Sequence, residues 1–114
     1  MPVNMIIAVL IFIVLDVVIG LVKALSTGTY KSLKMREGLF HKIGEILTIG
    51  FGILCENAFP YVGIEIKIPI VSTICIYIVL METGSIVENL AIISPNIKKL
   101  LGKVFGDYKA EDDE

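Results

Sequence analysis

Two uncharged stretches, Val3 to Leu15 and Ile68 to Met81, constrain this chain more than any other feature in it. A small soluble domain must cover most of its surface with polar groups, and runs of this kind leave too few. They also exclude a disordered chain, which needs low hydrophobicity and high charge. The composition agrees, with 55% of the 114 residues hydrophobic and 19% charged. The chain reads as a single all-α integral membrane domain, with three transmembrane helices and a C-terminal amphipathic interfacial helix.

The spans are expected at about residues 5–25, 39–59 and 70–93. At 1.5 Å per residue, the first covers roughly 30 Å, the thickness of a bilayer core. No basic segment precedes it and no clear cleavage site follows, so it is expected to stay in the membrane rather than act as a signal peptide. A polar loop is expected from Ser26 to Glu37, and a short turn from Pro60 to Lys67. Pro69 suits the first position of the third helix.

Ser94-Pro95 reads as a helix cap followed by proline at the first helical position. Ile97, Leu100, Leu101, Val104 and Phe105 then follow the spacing of an amphipathic helix, expected over about residues 95–106. Lys98, Lys99 and Lys103 fall off the apolar stripe, as in a helix lying in a membrane interface. Packing on another protein chain is the alternative use of that stripe. An acidic tail, residues 107–114, closes the chain.

The bases set an expected orientation. Lys31, Lys34 and Arg36 lie in the first loop, and Lys98, Lys99, Lys103 and Lys109 in the C-terminal segment. The second loop has only Lys67. The positive-inside rule therefore places the first loop and the C-terminus in the cytoplasm, with the N-terminus outside.

Charges within the spans carry the functional reading. A charge at the centre of a span costs about 2.5–3.5 kcal/mol on the translocon scale. Asp16 and Glu82 are expected on the order of 13 Å inside the cytoplasmic end of their helices. Asp16, Gly20 and Lys23 share one stripe of the first helix; Glu82, Ser85 and Asn89 share one of the third, where Glu88 also lies. Lys42, Glu45, Gly52 and Glu56 fall on one stripe of the second, with Phe40, Ile43, Leu47, Phe51 and Leu54 covering much of the rest. The simplest arrangement turns the outer stripes toward the second helix. Lys42 is then the leading partner for Asp16 or Glu82. Two uses of these stripes stay open: pairing within the bundle, and facing an aqueous lumen in an oligomer.

Gly44, Thr48 and Gly52 recur every four residues and permit close helix contact, read first as packing within the bundle. His41 reads as an interfacial residue rather than a ligand. Cys55 and Cys75 read as buried small hydrophobes rather than a disulfide. No metal cluster, cofactor motif, nucleophile arrangement or phosphate loop is present, so no cofactor, metal or enzymatic activity is expected.

Three segments resemble the phage holin family that includes the clostridial toxin-secretion holins. Leu15-Asp16-Val17-Val18-Ile19-Gly20-Leu21-Val22-Lys23-Ala24 is similar to that family's opening motif. Lys31-Ser32-Leu33-Lys34-Met35-Arg36-Glu37-Gly38-Leu39-Phe40-His41-Lys42 resembles its basic loop. Glu82-Thr83-Gly84-Ser85-Ile86-Val87-Glu88-Asn89 resembles its acidic Ser-Ile-x-Glu-Asn segment, with Pro95 soon after, and is the most specific of the three. The resemblance covers roughly residues 10 to 105. Two positions depart from the pattern. Cys55-Glu56 stands where the family often has Asp, and Met81 where an Asn often precedes the acid.

The resemblance implies a homo-oligomer that permeabilises the bacterial cytoplasmic membrane. An endolysin, or in some systems a toxin, then leaves without direct contact, and the host cell lyses. The implied partners are the lipid bilayer and further copies of the chain; no nucleic acid is expected. A small ion or proton channel or transporter, and an accessory subunit of a larger membrane complex, are the alternatives.

Overall fold

The computed structural model describes residues 3–105. It contains four α-helices: α1 (Val3–Thr27), α2 (Ser32–Ala58), α3 (Ile70–Ile93) and α4 (Pro95–Phe105). A 3-10 turn, Phe59–Val62, extends α2. Among the described residues there is no strand. Three helices are long and apolar enough to cross a membrane. The 25 residues of α1 rise about 37 Å, enough to cross the ~30 Å hydrocarbon core with a turn to spare. The acidic tail expected over 107–114 lies outside the described residues.

The turns are set by local chemistry. Gly28 adopts φ +71° after α1. Its N–H reaches Leu25 O, and Thr29 N–H reaches Ala24 O at 2.9 Å, which is the paired termination that left-handed glycine permits. Gly63, at φ +78°, closes the 3-10 turn in the same conformation. Ser94 Oγ accepts the Ile97 N–H at 3.4 Å, and Pro95 opens α4 as its spacing predicts.

Two expected boundaries shift. The loop expected from Ser26 to Glu37 shrinks to 28–31, because Ser32–Gly38 is already helical. Leu33, Lys34, Met35, Arg36 and Glu37 are all good helix formers. Their polarity marks the edge of the membrane span, not the edge of the helix. Pro69 sits one residue earlier than expected, as the residue flanking α3 at ψ 103°. Its ring leaves the first free N–H of α3 to the residues that follow, and Glu56 takes one of them, as described below.

α3 is the central helix. It packs along α1 most extensively and along α2 next, while α1 and α2 touch little. Asp16 sits level with Glu82, and Gly20 with Asn89, so α1 and α3 run parallel and α2 antiparallel to both. The apolar core joins Val9 and Ile13 of α1, Ile49 of α2, and Val71, Cys75 and Ile78 of α3. Cys55 and Cys75 are both buried and free. Around this core, large apolar side chains face outward: Ile11 and Val14 on α1, Phe40, Leu47, Phe51 and Leu54 on α2, Tyr77 and Leu80 on α3. A water-soluble monomer rarely exposes so much contiguous apolar surface; a bilayer covers it.

Candidate functional site: a buried charge cluster

The most polar feature of the bundle lies inside it. Asp16 and Glu82 are 5% and 1% exposed, and Glu82 is among the most completely enclosed side chains in the structure. Lys42 of α2 reaches between α1 and α3. Its Nζ donates to Asp16 Oδ2 at 2.6 Å and to both Glu82 oxygens, at 2.6 and 2.8 Å. One ammonium has three protons, and the three short bonds use all of them. The sequence offered Lys42 as partner to one acid or the other; the structure brings it to both.

The stripes of α1 and α3 do not simply face α2. They meet each other along the α1–α3 seam, with Lys42 inserted from the side. Gly20 faces Asn89 across this seam: a Cβ added there would lie 3.7 Å from Asn89 Nδ2, an ordinary contact distance. Ser85 and Asn89 line a cavity next to the cluster, together with Lys23.

The cluster has surplus acceptors. Among the described residues, two buried side-chain oxygens have no hydrogen-bond partner, Asp16 Oδ1 and Glu45 Oε1. Glu45, half-buried on α2, lies beside Glu82. Glu45 thus adds a third carboxylate beside the two that Lys42 holds. An unpaired buried oxygen costs about 1–3 kcal/mol and more when charged, so this arrangement is not the cheapest way to hold three helices together.

Further along α2 the polar stripe has other uses. Gly52 is buried against α3; a Cβ there would lie 2.7 Å from Ile74 Cδ1. Glu56 Oε1 accepts the Val71 N–H at 2.9 Å. That carboxylate caps the first turn of α3, where the helix dipole favours negative charge and Pro69 offers no side-chain cap. Sequence reasoning placed Glu56 on the stripe but missed this role. The signal available was an acid at the end of one span facing an uncapped Pro-Ile-Val start of the next.

The row of small residues divides. Gly52 lies against α3, whereas Gly44 and Thr48 are exposed, and nothing lies within 4 Å of a Cβ at Gly44. Thr48 Oγ1 donates back to Gly44 O at 2.8 Å, which satisfies the hydroxyl within its own helix. These two line an open groove of about 730 Å³ between α2 and α3, along with Glu45 and His41. His41 and Glu88 are exposed. No group of three metal-ligating side chains occurs among the described residues.

A sequence model of the bacteriophage holin family matches residues 2–110, nearly the whole chain. The chain belongs to the bacteriophage holin family. Neither the curated proteins nor the solved structures give a significant match. The holin assignment and the three apolar spans together make it a multi-pass membrane protein of a non-enzymatic family, in contact with lipid and serving phage lysis. The match is to the family as a whole and does not single out the clostridial toxin-secretion branch that the motifs resemble.

Proposed function

We propose that this holin assembles in the bacterial cytoplasmic membrane as a homo-oligomer and opens holes through which an endolysin reaches the cell wall. The observation that carries the reading is the charge cluster. In a lone protomer Lys42 pairs with both Asp16 and Glu82, and so allows it to sit in lipid with its charges enclosed. A protein needing only an anchor has no use for them. Above a threshold density, protomers exchange contacts within the bundle for contacts between copies, and polar faces turn toward water.

Lys42, Glu45, Gly52 and Glu56 form the face proposed to line the hole. In the packed protomer all four point inward or toward α3, which fits a closed precursor. The exposed Gly44–Thr48 face, beside an open groove, supplies a surface for close contact between copies without disturbing the closed bundle. Asp16 and Glu82 act as packing or switch residues. The basic first loop supports a cytoplasmic location for it and for the C-terminus, with the N-terminus outside. α4, whose lysines lie off its apolar stripe, lies in the interface. Export of a toxin in place of an endolysin would use the same hole.

The test is induced expression in a bacterium carrying a cytoplasmic endolysin, with culture density followed over time. The expected result is abrupt lysis after a delay set by the amount of holin. Continued growth at high expression, with membrane integrity retained, contradicts the proposal. Saturable, substrate-specific ion flux in liposomes without leakage of larger dyes would favour a channel or transporter instead.

A further inference from the structure

The cavity next to the cluster, of about 560 Å³, opens where α1 turns into α2 and runs between these helices and α3. Its lining includes Lys23, Lys31 and Lys34, and at its floor Ser85, Asn89 and Asp16. Among the described residues none of these three lysines has an ion-pair partner. Lys42 also borders the cavity but is committed to Asp16 and Glu82. One further carboxylate, Glu37, lies on the lining, so three uncommitted ammonium groups face one uncommitted acid.

A second, independent feature has the same sign. The 27-residue helix α2 starts at Ser32 beside this cavity, and its flanking residue Lys31 makes no side-chain cap bond. The first N–H groups of α2 are therefore open to an external acceptor, at the positive end of the helix dipole. The position along the membrane normal is fixed by the sequence: Ser32–Gly38 is the polar turn that precedes the apolar part of α2, so the mouth lies at headgroup level. The volume is that of a small-molecule site. Ser85, Asn89 and the unpartnered Asp16 Oδ1 make one end of the cavity polar, while Val17, Leu21 and Leu39 give it an apolar wall.

We propose that this cavity binds the phosphate of an anionic phospholipid headgroup. Lys31 and Lys34, with the Lys34 backbone N–H in the first turn of α2, hold the phosphate at the mouth. Lys23 reaches up from α1, its stem against the apolar wall. Basic pockets between spans have the chemistry for such headgroups, and the charge of the surrounding leaflet concentrates the ligand there. The site requires only the three-span bundle and stands or falls separately from hole formation.

The experiment uses the full chain, purified in mild detergent and titrated with short-chain phosphatidylglycerol, with bound lipid counted by native mass spectrometry. Lys31→Gln/Lys34→Gln should weaken retention on the order of tenfold or more. Lys99→Gln/Lys103→Gln, which removes the same charge from α4, should leave retention within about twofold, and Lys31→Arg/Lys34→Arg should preserve it. Equal weakening in both glutamine pairs would show general surface attraction and overturn the proposal. So would displacement of the lipid by an equal concentration of inorganic phosphate, which would make the cavity a site for the free anion, or the absence of any bound lipid in the unsubstituted protein.

Discussion

Replacing Lys42 with methionine removes one ammonium and leaves Asp16 and Glu82 facing each other inside the bundle. The shape of the side chain is nearly kept, so packing changes little and the electrostatic loss dominates. If the three bonds to Lys42 were ordinary polar contacts between membrane helices, each would contribute about 0.6 kcal/mol and the total loss would be about 2 kcal/mol. The bonds are short and charge-assisted, and both acids are more than nine-tenths buried. Removing one partner from such a cluster costs about 3–5 kcal/mol, because the remaining charges stay enclosed without compensation. Reversible unfolding in mixed micelles measures the difference. A loss of at least 3 kcal/mol is expected for Lys42→Met, with much of it recovered when Asp16→Asn and Glu82→Gln are added. A loss under about 1 kcal/mol, or no recovery in the triple variant, would refute the claim that the cluster holds the protomer closed.

The other predictions follow from neighbouring contacts. Asp16→Asn retains an oxygen acceptor for Lys42 but loses the ionic attraction, so membrane insertion should be unchanged and lysis should begin earlier at equal protein level; unchanged timing would remove Asp16 from the mechanism. Gly52→Leu should destabilise the bundle by about 1–3 kcal/mol through overpacking against Ile74, whereas Gly44→Leu should leave bundle stability alone and reduce crosslinking between copies in the membrane. Glu56→Ala should cost about 1 kcal/mol by uncapping α3, visible in the same unfolding measurement, while Glu56→Gln, which keeps an acceptor oxygen, should cost less.

The fold was largely legible because a bilayer imposes a coarse requirement. Apolar runs of sufficient length located all three spans, and Ser94-Pro95 with the apolar spacing after it located α4. Helix ends were less legible where the chain leaves the membrane. Residues 32–38 are polar and helical together, and hydropathy reports only the first property. The cluster was half legible: the depth of Asp16 and Glu82 demanded a base, and Lys42 was the nearest one, but three side chains meeting at one nitrogen depends on how α1 and α3 close over α2. That closure follows the packing of Val9 and Ile13 of α1 against Val71 and Cys75 of α3. The division of the small-residue row, with Gly52 packed against α3 and Gly44 open, is not encoded by a four-residue spacing.

The central claim is that a bundle with its charges hidden becomes a hole wide enough for a folded enzyme. The most direct measurement expresses the protein without endolysin in cells holding cytoplasmic reporters of increasing size, from a small dye to folded proteins as large as an endolysin, and follows which appear outside the cytoplasmic membrane. Abrupt release of small and protein-sized reporters together, after a delay, is the predicted result. Release confined to ions or the smallest dye, at any expression level, would contradict it.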